Sequence, residues 1–315
     1  MSGTGKTITD AIAAASDNSR TMESFRTSTD SGERAAILEA ANCLHLEGSG
    51  RNSPARLIGQ LCDERLTADE LVARIEAHPV LCARVLKVAN SPYYGQGGSV
   101  ATIKRALFLL GVNSVRGIAA AACIRQAMPH RMGLIPDLPA IMTHSLATAV
   151  ACDMLATAAM PDLAADAFIA GLIHNLGTVV QASLNPTGTA ALIAARVRDS
   201  SQNLRTVELQ YCRPGHEECA AVLFEAWSLP AALVLSAQHH HVPEEAPDSH
   251  RMLAGLVWAG GHLALCCRKT YALEAMPPAR DDGRLLELGF PPKHLDAVMA
   301  ELGQRVEVLN RSLMA

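Results

Sequence analysis

His174 and Asn175 stand side by side inside Ala165–Gln181, a stretch apolar on almost every other side. A helix apolar all round belongs in the core of a larger protein. Burying an imidazole and an amide there without hydrogen bonds is costly. Other polar side chains must therefore converge on this point, and the candidates are His144, His216 and the run His239-His240-His241. Imidazoles carried on neighbouring helices can gather around one metal ion or one anion. Histidine-only ligation suits zinc, copper or iron, whereas two ions side by side need a shared carboxylate to offset their repulsion. The residue beside His174 is Asn175, not an aspartate. A neutral amide offers a metal one oxygen and cannot bridge two ions. The alternative is that each histidine packs singly and donates to a backbone carbonyl.

Other chemistry is weaker. Cys212, His216 and Cys219 are zinc-like in type, but Pro214-Gly215 sets a helix start between them and no fourth ligand is near in sequence, so two packed thiols are expected. Gly5-Lys6-Thr7 matches only the end of a phosphate-binding loop; the earlier glycine and the preceding strand are missing. The nine cysteines form no Cys-x-x-Cys pair, and Cys266-Cys267 are expected to be ordinary helix residues. The expectation is reduced thiols in a cytosol.

The elements that must position these groups are helices. Apolar residues make up 49% of the 315-residue chain and aromatics 3%, with Ala and Leu dominant. That mixture favours helix over strand. A net charge of −4 gives no footprint for nucleic acid. No signal peptide is expected, nor a membrane span uninterrupted by polar residues.

Residues 1–30 read as a mobile leader, Glu33–Leu46 as a first helix and Glu47–Ser53 as a linker. Thr67 and Glu70 form a capping box, and Pro79 opens the next helix, which stops at the turn Asn90–Gly95. Thr102 caps a helix closed by Gly111, and Asn113 caps the next. Pro139–Met160 holds His144. Asp162 caps the helix of His174 and Asn175, with a kink at Gly177. Helices follow at 188–198, 206–211, 216–227, 230–239 and 248–268. Residues 274–284 read as a loop, and Pro291–Leu313 closes the chain.

A family resemblance now emerges from pieces that fall in order along the chain. They are Leu71–Ser91, Tyr94-Gly95, Ala106–Gly111, His144–Ala147, Ala167–His174 with Leu176-Gly177, Gly215-His216, Trp227–Pro230 and His240–Pro243. Together they resemble an HDOD domain, the regulatory relative of the HD metal-dependent phosphohydrolases. The resemblance implies an all-α fold. An HDOD domain would span 54–245, with an N-terminal helical bundle (54–130) packed on an HD-like bundle (138–245). C-terminal helices (246–315) would pack on the latter. In a catalytic HD protein the first histidine would match His144 and the His-Asp pair would match His174-Asn175. The closing aspartate would fall at Gly260. With neither carboxylate present, the pocket of His144, His174, Asn175, His216, His240 and His241 reads as vestigial, with no metal, no cofactor and no catalysis. The turn of Asn90, Ser91, Tyr94 and Gly95 is a family signature; its plain role is to cap a helix and pack Tyr94 between the bundles, its alternative a binding role.

The resemblance further implies a cytoplasmic, bacterial-type signalling protein that binds a partner protein or small ligand, in a cyclic-dinucleotide network, with no attached sensor domain. Two rivals stand beside this reading. One is a working phosphohydrolase for a nucleotide or cyclic dinucleotide, with an outside acid replacing Asn175. The other is a pure interaction scaffold.

Overall fold

The computed structural model describes residues 30–43, 54–63, 65–91, 94, 100–127, 137–274 and 278–314. The leader, the linker before Pro54 and Gly95 lie outside them, apart from residue 30. Among the described residues every regular element is helical, and the one β feature is an isolated bridge between Tyr271 and Glu274.

The helices are α1 Ser31–Cys43, α2 Pro54–Leu61, α3 Ala68–Glu76, α4 Pro79–Ala89, α5 Ile103–Ala127 and α6 Leu138–Ala159. Then come α7 Ala164–Ile173, α8 Leu176–Leu184, α9 Pro186–Arg198, α10 Leu204–Tyr211 and α11 His216–Ala226. The series closes with α12 Ala231–Gln238, α13 Asp248–Cys266, α14 Asp282–Glu287 and α15 Pro292–Met314.

Local chemistry sets many of the ends. The Thr67 hydroxyl accepts from the Glu70 N–H at 3.3 Å while the Glu70 carboxylate accepts from the Thr67 N–H at 2.9 Å, so the capping box forms as expected. Thr102 caps α5 through the Arg105 N–H, and Asn203 caps α10 through the Thr206 N–H. Gly111 interrupts α5 at φ 81°, a conformation glycine adopts without the strain of a side chain.

One expectation fails at the centre. The chain breaks at His174-Asn175, with His174 closing α7 and Asn175 opening α8, and not at Gly177. Gly177 lies inside α8, where a Cβ would meet the carbonyl oxygen of His216 at 1.9 Å. Its small size serves the close packing of α8 on α11, not a kink. Nor does Asp162 cap α7: it lies in a short 3-10 turn, Pro161–Leu163, before Ala164.

α2–α5 form the N-terminal bundle, and α6 is the axis of the second, flanked by α7, α13 and α15. α1 packs on α8 and α11, far along the chain, and the Arg34 guanidinium lies 2.6 Å from the Glu225 carboxylate. α15 also reaches α4 and α5, so it spans both bundles.

Three stretches, 103–127, 138–159 and 161–184, are long and apolar enough to cross a membrane by length and composition. Half or more of each is buried inside the protein, because α5, α6, α7 and α8 carry the core.

Where the two bundles meet α15, a pocket is lined by Tyr94, Ile118, Leu146, Phe168 and Leu313 with the acid Asp153. Tyr94 thus sits between the bundles. Asn90 clamps the preceding turn, donating to the carbonyls of Leu86 at 2.9 Å and Val100 at 2.8 Å. Burial pushes Asp153 up to about 6, against the opposing pull of Arg305. A carboxyl raised in the fold favours folding while protonated, so this contribution is full below about 4 and lost as pH rises through about 6. Asp153→Asn should therefore melt a few degrees above the wild type at pH 7.5 and level with it at pH 4, as read by calorimetry. Equal melting temperatures at both pH values would contradict this account.

Candidate functional site

The histidines converge as their residue types predicted. His144, His174, Asn175, His240 and His241 line one cavity together with Val257, Trp258, Gly261, His262, Leu265 and Glu274. His216 borders it, with ring centroids 5.2 Å from His240 and 5.1 Å from His241. His239 is turned elsewhere, with Glu245 and Arg205 as its charged neighbours. Cys212 and Cys219 are buried free thiols, and the His216 ring turns to the histidines, so the zinc-like triplet does not assemble around Cys212 and Cys219.

Each ring is anchored through one nitrogen. His144 Nδ1 lies 2.8 Å from the carbonyl oxygen of Lys269, His174 Nδ1 2.7 Å from that of Gly171, and His240 Nδ1 2.7 Å from that of Ala237. A carbonyl only accepts, so each Nδ1 carries the proton and each Nε2 keeps its lone pair. Burial depresses all three rings, His144 to about 4 and the other two well below the usual histidine range, so they are neutral at pH 7. Burial, then the neighbouring His240, does the same to His241.

His216 is anchored differently. Its Nδ1 lies 2.7 Å from the Glu208 carboxylate, which also accepts from the His216 backbone N–H at 3.1 Å and from Gln181 Nε2 at 2.8 Å. Burial opposes charging this ring, but the Glu208 charge and hydrogen bond, with the charges of Glu217 and Glu274 added, together push His216 up to about 9. Its Nε2 then donates toward His240 Nε2 at 3.4 Å and His241 Nε2 at 3.2 Å. His241 is itself fixed from behind, since Glu217 accepts its backbone N–H and pairs with Arg205 at 2.8 Å.

The HD relatives imply divalent metal ions, and the donors test that implication. One ring nitrogen from each of His216, His240 and His241 lies within 4.8 Å of the other two. Ligand bonds of about 2.0 Å in a tetrahedron put neighbouring donors about 3.3 Å apart, close to the 3.2 and 3.4 Å seen here. His216 and His240 each have a hydrogen-bonded Nδ1 behind the Nε2, the arrangement that orients metal-binding histidines. The donors therefore fit one ion. Among the described residues, the one carboxyl lining the cavity is that of Glu274.

Asn175 sits where the bridging acid would be. It is buried, and its side chain hydrogen-bonds the Tyr271 phenol. Its Oδ1 has no partner among the described residues. Gly260 faces α6, where a Cβ would meet Cys152 Sγ at 2.5 Å and the Thr148 carbonyl oxygen at 3.0 Å. An aspartate there would clash with α6. The residue of this Gly-Gly pair that opens onto the cavity is Gly261, one helical step on, and it carries no acid either.

Sequence reasoning missed Glu208, Gln181, Tyr271 and Glu274. Gln181 and Glu208 are polar residues on buried helix faces, which is a readable signal, but their pairing across α8 and α10 is not local. Tyr271 and Glu274 lie beyond the quoted pieces of the family resemblance. Tyr271 packs on His144 with ring centroids 4.9 Å apart and hydrogen-bonds both Asn175 and Glu274. At the mouth, Arg284 lies 4.1 Å over the Trp258 ring, and His262 stacks with that ring at 5.0 Å.

Comparison with known proteins agrees with this fold. A family model described as the HDOD domain matches residues 52–243. A curated relative from Treponema pallidum (strain Nichols), itself uncharacterised, is 26% identical over 194 residues; the match covers 60% of this chain and 36% of that protein. The chain thus corresponds to about a third of that relative's length. Among solved structures, one from Marinobacter aquaeolei VT8, provisionally named a signal transduction protein, superposes with a TM-score of 0.69 at 22% identity, covering 90% of this chain and 65% of that one. One from Shewanella amazonensis SB2B, provisionally named a phosphohydrolase, gives 0.66 at 24% identity, covering 89% and 98%. An HDOD domain protein of unknown function from Geobacter sulfurreducens gives 0.67 at 18% identity, covering 88% and 98%. At these identities the structures speak for the shared helical fold. With the family model matched over more than half its length, the chain belongs to the HDOD family.

Proposed function

We propose that this protein is a signal-transduction module that acts by binding and does not cleave phosphoesters. The observation that carries this reading is the neutral amide of Asn175 at the buried centre of the histidine cavity. Without an acid between them, two ions have no counterweight and no bridge to orient a hydroxide. The cavity would hold one ion or an equivalent ligand on His216, His240 and His241, and occupancy would shift the balance between two conformations recognised differently by a partner. The partner class we favour is another signalling protein in a cyclic-dinucleotide network, in the cytoplasm. The name carried by the Marinobacter structure supports signalling; that of the Shewanella structure supports the hydrolytic alternative.

The hydrolytic reading has one observation in its favour, the buried Glu274 carboxyl beside the histidines. Incubation with nucleotides and cyclic dinucleotides in the presence of Mn²⁺ or Fe²⁺ separates the two. Turnover no greater than that of His174→Ala is expected. Turnover that His174→Ala abolishes would overturn the non-catalytic reading.

A further inference from the structure

After α13, residues 267–274 reach back over the histidine cavity and take part in it. The Lys269 carbonyl holds His144, the Tyr271 ring packs on His144, and the Leu273 carbonyl accepts from Arg196 Nε at 2.8 Å. Tyr271 is buried, with its phenol hydrogen-bonded to Asn175 on one side and Glu274 on the other. Glu274 lines the cavity beside His174, His240 and His241. All these strap residues lie beyond the HDOD match, which ends at 243.

We propose that this strap, and not the helical bundle, supplies the acidic group of the cavity, with Tyr271 and Asn175 positioning Glu274 toward a divalent transition-metal ion held by His216, His240 and His241. The proposal rests on the one-ion reading of the histidines.

Three considerations carry it. The first is charge. A divalent ion that displaces the Nε2 proton of His216 and binds neutral imidazoles leaves two positive charges in a buried space, which is costly without matching acids. Glu208, behind His216, supplies one negative charge; Glu274 supplies the second, and the loaded site is then neutral. The second is geometry. A phenol tied to an amide on one side can offer a carboxylate a fixed hydrogen bond on the other, which holds its direction. The third is the unpartnered Oδ1 of Asn175, buried and lining the same cavity. It is free to accept from a water on the ion, so that Asn175, Tyr271 and Glu274 would form one orienting row.

The test is a calorimetric titration with Zn²⁺ alone, using competing chelator where needed, on the full chain. Co²⁺ absorption reports the ligand geometry independently of any activity. Wild type is expected to bind one ion per chain. Glu274→Gln should bind it roughly ten- to a hundredfold more weakly with unchanged stoichiometry and an altered Co²⁺ spectrum. Tyr271→Phe keeps the ring packing but releases the carboxylate, and should show a smaller loss in the same direction. Wild-type affinity in Glu274→Gln, in a variant that melts like the wild type, would overturn the role of Glu274 while leaving the histidine reading intact. A wild-type chain that binds Zn²⁺ no better than His216→Ala would overturn the histidine reading and this proposal with it.

Discussion

Gly177→Ala is expected to cost about 3–5 kcal/mol of unfolding free energy, among the largest effects of any single methyl in this chain. The added Cβ would meet the His216 carbonyl oxygen at 1.9 Å, the Ala220 nitrogen at 2.6 Å and the Ala220 Cβ at 2.9 Å. Two of these are backbone atoms of α11, which cannot rotate aside. α8 must separate from α11, and that separation pulls Gln181 from Glu208 and disturbs the anchor of His216. A useful control is Gly261→Ala, where the nearest atoms are those of Thr148 at 3.8 and 3.9 Å. Helix propensity favours Ala over Gly there by up to about 1 kcal/mol. Urea unfolding of both variants checks the pair: a large loss for the first and none for the second. Similar losses in both would show that the α8–α11 approach is looser than described.

Removing the Glu208 carboxylate should be comparably severe. Glu208→Ala removes the acceptor of three buried N–H groups: the ring and backbone N–H of His216 and one hydrogen of the Gln181 amide, which keeps only its bond to the Pro214 carbonyl at 3.2 Å. Breaking a buried ion pair by deleting one partner typically costs about 3–5 kcal/mol. His216 can shed its proton to limit the damage, so the loss should sit toward the lower end. Glu208→Gln keeps the shape and an acceptor oxygen and should lose less. The ordering wild type, Gln, Ala in midpoint denaturant concentration is the expected result. An Ala variant as stable as the wild type would mean that the carboxylate is dispensable and that His216 is held by packing alone.

What the sequence made legible follows the range of the interactions. Caps are local, so Thr67 and Thr102 could be read from a few neighbouring residues. The histidines were legible by type, because imidazoles in apolar stretches need partners. The expectation of acids missing at Asn175 and Gly260 came from the family resemblance alone. The helix break was misplaced because glycine has two meanings: Gly177 could bend a helix or let one approach another, and only the packing decides. Gly260 was taken as the cavity position when its side faces α6; one residue turns a helix by about 100°, and that phase depends on the tertiary contacts. The strap was illegible for a plainer reason. Tyr271 and Glu274 meet Asn175 across roughly a hundred residues of chain, and no periodicity spans that distance.

The central claim is that this cavity accommodates one ion and not two. A crystal of the chain grown with excess Mn²⁺ or Zn²⁺, with anomalous scattering collected at the metal edge, tests it directly. The account predicts a single peak bonded to the Nε2 atoms of His216, His240 and His241. Two strong peaks about 3.5–4 Å apart, the spacing of two-metal hydrolases, with one beside Asn175, would contradict it.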